Sequence, residues 1–191
     1  MMEILIKARH FRALLAVAPK LDIRHYLKGA YIDTKQKTAS ATDGRRLIQV
    51  PIQVVSNKFG IDNVLVSLPA SKPFKRDTEV KMEISRNPDM PEEVTWSYLE
   101  KDYKIMRTQT LSHIIDGKFP NIENIKPNEK DLSYDLDGEG FNPFYFADIA
   151  SEIGATAIRI KGSGRSNPAI VEFYGGSNVK DVYYLVMPIR I

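Results

Sequence analysis

Ala41-Thr42-Asp43-Gly44-Arg45-Arg46-Leu47 joins a turn pair, Asp43-Gly44, to an abrupt return of strand-forming residues that runs on to Val54. An Asp-Gly pair between apolar runs is a strong hairpin signal, because glycine takes the left-handed backbone that a tight turn needs. A second such pair opens Asp116-Gly117-Lys118-Phe119-Pro120-Asn121-Ile122, and the chain closes on Leu185-Val186-Met187-Pro188-Ile189-Arg190-Ile191. An exposed chain end is normally frayed and polar. One that is branched and sulfur-bearing, broken only by Pro188 and Arg190, is expected to lie tied down in a surface groove.

Composition bounds the rest. A chain of 191 residues, 43% hydrophobic, can bury a real core in one large or two small domains. A net charge of +3 and a pI near 8.9 permit contact with an anionic polymer without requiring it. With no cysteine there is neither a disulfide framework nor a thiolate metal site. Ala13 to Ala18 resembles a secretory apolar region, but Lys7, Arg9 and Arg12 interrupt it, and it reads as a helix of a cytoplasmic protein. No stretch approaches the roughly 20 apolar residues that span a bilayer.

Along the chain a unit recurs: strand, helix, then several strands. The first has a strand at 3–7, a helix at 8–18 ended by Pro19, and strands at 29–33, 38–42 and 46–54. The second has strands at 64–68, 80–85, 94–99, 102–107 and 110–114, with Pro69 and Pro73 leaving little room for a helix at 71–76. The third has a strand at 131–136, a helix at 143–153 capped by Asn142 and closed by Gly154, and strands at 157–161, 169–174 and 182–188. These units predict an α+β repeat fold.

The ATDG-x-RL segment, the DG-K-FP segment and the terminal VMP-I-R-I, in that order, resemble the bacterial replicative sliding clamp, the beta subunit of DNA polymerase III. Ile23 to Gly29 is similar to the strand entry of the clamp's middle domain, and Gly140-Phe141-Asn142-Pro143 through Ile153 to the last helix of its final domain. The resemblance implies the DNA-clamp fold, with antiparallel sheets outside and helices inside. It implies a complete clamp-like domain at 1–127 and half of another at 128–191, about half the family's three-domain subunit.

From the same resemblance follows a pocket for the short peptide tails of polymerases and repair proteins. Its walls would be Leu27, Thr42, Gly44, Arg46, Leu47, Pro120, Ile125, Val186, Met187, Pro188 and Ile189, with Arg45 and Arg190 at the rim. Such an apolar slot suits leucine or phenylalanine side chains, and Met187 adapts to varied shapes. On the residues alone, Arg46 and Leu47 also read as an ordinary strand start, and Met187 as core. Asn124 stands where the family usually has a basic residue and Arg45 where histidine is common, which points to a different peptide preference.

Helical spacing puts Phe11, Leu14, Leu15 and Ala18 on one side of the first helix and Arg9, Arg12, Ala16 and Lys20 on the other. Such a cationic stripe reads either as a solvated surface or, in a clamp, as a lining that faces phosphates without reading bases. Arg24, Tyr26, Lys72 and Lys75 join that candidate set for double-stranded DNA, with Tyr26 equally readable as packing. Asp148 and Glu152 of the third unit's helix would not attract phosphate.

Catalysis finds no constellation: His10, His25 and His113 have no metal-ligand spacing, and Gly162-Ser163-Gly164-Arg165 lacks the spacing of a phosphate loop. The expectation is a non-enzyme without metal or cofactor. A chain with so few helices cannot enclose a duplex alone, so a homo-oligomer is expected. Two functions stay open: a DNA-encircling processivity factor, and a clamp-derived module that binds peptides without encircling DNA.

Overall fold

The computed structural model describes all residues except 75–76, 88–89, 101–104, 137, 165 and 190–191, and within strands omits the side chains at 87, 90–91 and 105–111. The first strand, β1 (Met2–Lys7), passes directly into α1 (Ala8–Val17). No side chain caps this helix start; instead the Ala8 N–H donates to the Thr78 carbonyl at 2.9 Å. The helix stops at Ala18, which is extended (ψ 125°) because the following proline crowds a helical conformation.

Two sheets follow, antiparallel throughout. With β2 (Gly29–Asp33), β3 (Thr38–Thr42), β4 (Arg46–Pro51), β5 (Gln53–Asn57), β6 (Asn63–Ser67), β7 (Glu79–Asn87), β8 (Met90–Leu99) and β9 (Ile105–Ser112), the first sheet has the order β5-β1-β7-β8-β9. After α2 (Pro143–Ile153) come β10 (Ala157–Lys161), β11 (Ala169–Tyr174) and β12 (Tyr183–Val186), and the second sheet runs β10-β11-β12-β4-β3-β2-β6. The opening strands are exchanged: β1 lies beside β7 of the second unit, and β6 beside β2 of the first. That exchange knits the two units together. The third unit joins through β12, which pairs with β4 and makes one sheet of seven strands.

The core fills the space between these layers. α1 packs on β3 and β4 of one sheet and on β1 and β7 of the other, and α2 lies against α1. Phe11 anchors the contact, its ring 4.8 Å from Trp96 and edge-on to Tyr98 at 6.4 Å, all three side chains fully buried. Ile149 and Ile153 bring α2 into the same cluster. A second, smaller cluster of Leu47, Leu65, Ile115, Phe119, Ile122 and Leu185 lies on the opposite face of the seven-stranded sheet. Alternation along β4 explains the division: Ile48 and Val50 turn to the main core, Leu47 to the smaller one.

Several expectations are corrected. Ser71 to Phe74 is not helical, and residues 75–76 lie outside the described ones. Pro69 and Pro73 deny this segment a run of N–H donors, so side chains fasten it instead: the Tyr98 hydroxyl donates to the Ser71 carbonyl at 2.8 Å and Arg12 Nη1 to that of Phe74 at 3.2 Å. Residues 131–136 form no strand; Ser133 makes an isolated bridge to Gly162 after a short turn at Glu129–Asp131. The expected strand at 46–54 divides at Ile52, whose N–H donates to Lys37, and β5 crosses into the other sheet. The pair expected at 102–107 and 110–114 is one strand, β9, with residues 101–104 outside the described ones. α2 has the expected bounds, with the Asn142 side chain accepting from the Phe144 N–H at 3.0 Å and Gly154 left-handed at φ 76°.

Candidate functional site

The terminal segment lies beside the ATDG turn. β12 runs antiparallel to β4 with Leu185 opposite Leu47 and Val186 opposite Arg46, and beyond the strand the Met187 N–H donates to the Arg45 carbonyl at 2.8 Å. The turn is built from its own side chains. Asp43 Oδ1 accepts from the N–H groups of Arg45 and Arg46, at 2.8 and 2.9 Å, and the Thr42 hydroxyl donates to the Arg46 carbonyl at 2.7 Å. Gly44 sits at φ 87°, and a Cβ there would lie 2.8 Å from Arg24 Nη1. The left-handed backbone favours glycine at that position, while the Arg24 end could shift aside.

Between turn and terminal segment opens a groove of about 570 Å³. Leu47 and Leu185 lie along it with Met187 beside them; Thr42, Gly44 and Arg45 form one lip. The opposite wall is the strap of chain after Phe119: Pro120, Asn124 and Ile125 as expected from sequence, with Lys126, Pro127, Asn128 and Asp131 beyond them. The β10–β11 loop closes one end through Ser163, Asn167 and Pro168. Ile125 leaves about a third of its surface to solvent, 36%, an apolar edge facing the slot.

Other residues expected at the groove lie elsewhere. Leu27 is buried in a short turn, His25–Leu27, and Val186 points into the main core. The Ile189 N–H is bonded to the Gly140 carbonyl at 2.8 Å, and neither its half-exposed side chain nor the partly buried Pro188 is among the residues lining this groove; Arg190 lies outside the described residues. Leu185 was missed, though period-two alternation carries the signal: Met187 and Leu185 share a face, and Val186 faces the other way. Nothing in a linear reading marks the contribution of the β10–β11 loop.

Arg46 contributes backbone to the groove and sends its side chain through to the helices. Nε donates to Asp43 Oδ2 at 3.0 Å, Nη2 to the Ala16 carbonyl at 2.7 Å, the guanidinium lies 4.6 Å from the Tyr145 ring centre, and Asp148 is 3.6 Å from Nη1. Ala16 is in the last turn of α1, where carbonyls lack helical partners, so Arg46 caps that helix from across the sheet.

The cationic stripe is altered by packing. Arg12 is buried, not exposed: Nε donates to Glu152 Oε2 at 2.9 Å, because α2 covers this flank of α1. Arg9 and Lys20 are exposed, while Lys72 is mostly exposed and pairs with Glu152 at 3.4 Å. Arg24 forks onto Asp22, whose carboxyl this pairing holds at about 2, and reaches the Asp43 carbonyl. Tyr26 is half-buried against Gly117, where a Cβ would come within 2.8 Å of the Tyr26 Cβ. Lys75 lies outside the described residues.

No protein-family model matches this chain, and no curated protein does. Solved structures do. A DNA polymerase sliding clamp from Pseudomonas aeruginosa, with ligand, aligns over 100% of this chain and 66% of its own at a TM-score of 0.63 and 20% identity. The beta chain of DNA polymerase III from Streptococcus pneumoniae gives 0.64 and 12%, over 100% of this chain and 65% of that one. The Caulobacter crescentus pol III beta gives 0.63 and 17%, over 99% and 66%. This chain has the sliding-clamp fold. The alignment extends over about two thirds of those clamps, more than the half expected from sequence. The α+β clamp fold thus stands on backbone geometry at low identity. Among the described residues of this clamp fold, no helix is long and apolar enough to cross a membrane, and no cluster of three or more His, Cys, Asp or Glu could hold a metal.

Proposed function

We propose that this chain is a non-catalytic, sliding-clamp-type replication protein whose working site is the groove beside the ATDG turn, which takes short linear peptides of polymerases or other replication proteins. The observation that carries the reading is the edge-to-edge pairing of β4 with β12, which lines up Leu47, Leu185 and Met187 under a lip of turn residues. An apolar slot with a few polar groups at its rim suits leucine and phenylalanine side chains, with Thr42, Asn124 and Asn128 available to fix orientation. Arg45, exposed at the lip, and Asn124, exposed on the strap, are the positions at which peptide preference departs from other clamps.

Titration of fluorescently labelled peptides carrying leucine and phenylalanine tests this. Binding near 1 μM, about −8 kcal/mol, is expected, and Leu47→Ala or Met187→Ala should weaken it about tenfold or more by removing buried apolar contact. Parent-like affinity in both variants would remove the assignment.

Contact with double-stranded DNA is a second reading, carried by the exposed cations Arg9, Lys20 and Lys72 around α1. The burial of Arg12 on Glu152 and the presence of Asp148 weaken that surface, and so favour a peptide-binding adaptor over a tight DNA-holding ring. Solution mass together with retention on closed circular DNA separates the two: a stable tetramer or larger ring retained on circles but lost from linear DNA supports encirclement, and a monomer or dimer without retention supports the adaptor.

A further inference from the structure

A second trough, about 710 Å³, flanks the same strap on its other side, and nothing in the peptide reading uses it. The two depressions meet at Pro120, which lines both. They also adjoin along β4: Leu47 lines the apolar groove, and Gln49, two residues on and therefore on the same face, lines the trough about 7 Å away. A linear ligand seated on Leu47 reaches Gln49 within about two residues of its own length.

The chemistry of the trough differs from that of the groove. Its wall is the Tyr31 ring stacked on Phe119, with centroids 5.1 Å apart and planes at 10°. Burial raises the Tyr31 phenol above its ordinary value, so the ring is neutral at physiological pH. Three carboxylates line it, Asp33, Asp116 and Glu123, with one lining cation, Lys118, while Lys35, paired with Asp62, lies within electrostatic reach of Asp33. Glu123 is occupied by Lys126 at 2.6 Å. Asp33 Oδ1 accepts from the Gln36 N–H, and the Asp116 carboxylate has no partner among the described residues. On a chain of net charge +3, this aromatic-walled depression keeps two carboxylates, Asp33 and Asp116, outside any ion pair among the described residues. Carboxylates beside an aromatic face suit an ammonium or guanidinium group.

We propose that the trough receives a lysine or arginine flanking the apolar motif of the peptide in the groove, so that this chain selects ligands with a basic residue on one side of that motif. The inference rests on the groove being the peptide site and deepens it by stating the ligand's charge pattern.

The test uses labelled synthetic peptides that share one leucine- and phenylalanine-containing core and carry a lysine pair, an alanine pair or a glutamate pair at one end or the other. At low salt, the lysine pair at one end, and at that end only, should tighten binding about fivefold over alanine, and the glutamate pair should weaken it. Raising the salt should shrink the difference. The Asp33→Asn/Asp116→Asn variant, which keeps Asp33's acceptor to Gln36, should bind the alanine peptide as the parent does and lose the lysine preference. Equal affinity for lysine and alanine peptides, equal gain at both ends, or a preference that survives in the variant overturns the inference. Failure of every peptide to bind, with or without charge, overturns the groove itself, and so distinguishes the two.

Discussion

Arg46 shows how much a single side chain can hold. It satisfies the Asp43 carboxylate of the turn and an orphan carbonyl of α1 at once, from a largely buried position. Arg46→Ala should therefore destabilise the protein by about 2 kcal/mol or more, since it strands a partly buried carboxylate and carbonyl. Arg46→Lys should not restore it, because one ammonium cannot reproduce the planar fork. Both are read as a shift in the denaturant midpoint, and loss of peptide affinity should accompany them as the lip at Arg45 loosens. His10 is a second case. It is fully buried, with one ring nitrogen 2.7 Å from the Asn178 carbonyl and Nδ1 without a partner among the described residues, and burial lowers its pKa below the ordinary 6.5. The unfolded chain then binds the proton more readily, so the contribution is present above about pH 6.5 and is lost as pH falls toward the folded value. The melting temperature should drop between pH 7 and 5, and His10→Gln should flatten that part of the profile. At this scale the sequence was legible where chemistry is local, as at Asp43-Gly44. It was illegible for Arg12, whose fate depends on Glu152, 140 positions away.

Elements with strong end signals matched their sequence. α2 has proline in its first turn, an asparagine cap and a left-handed glycine stop, all local, and its bounds were legible. Asn142→Ala should cost about 1 kcal/mol of stability, measured by chemical denaturation, because the Phe144 N–H loses its acceptor. Where tertiary contacts decide, reading failed. Residues 131–136 alternate plausibly yet form no strand, and the segment rising from Pro69 is held by Tyr98 and Arg12 together with a local turn in which the Phe74 N–H donates to Asp77 Oδ2 at 2.6 Å. The groove was legible in part: turn, strap and terminal strand carry motifs, whereas Asn167 and Pro168 arrive on the β10–β11 loop, a hairpin whose approach no local pattern announces.

At the scale of the molecule, the seven-stranded sheet and the shared core argue against separable parts. Ile149, Val171 and Tyr184 pack in the same cluster as Met2, Phe11 and Trp96. Calorimetry should accordingly show one cooperative transition with equal calorimetric and van't Hoff enthalpies, and two resolved transitions would instead support independent units at 1–127 and 128–191. The pairing of β4 with β12 has one more consequence. Neighbouring strands in a sheet cannot part without breaking their hydrogen bonds, so the floor of the slot, at Leu47 and Leu185, has no hinge on which to gape, whereas its other walls are the strap and the β10–β11 loop. On the peptide reading, that floor is set before any visitor arrives, and adjustment falls on the incoming segment, the Met187 side chain and the loop walls. A peptide meeting such a pre-set floor would be sorted by residence time more than by encounter rate.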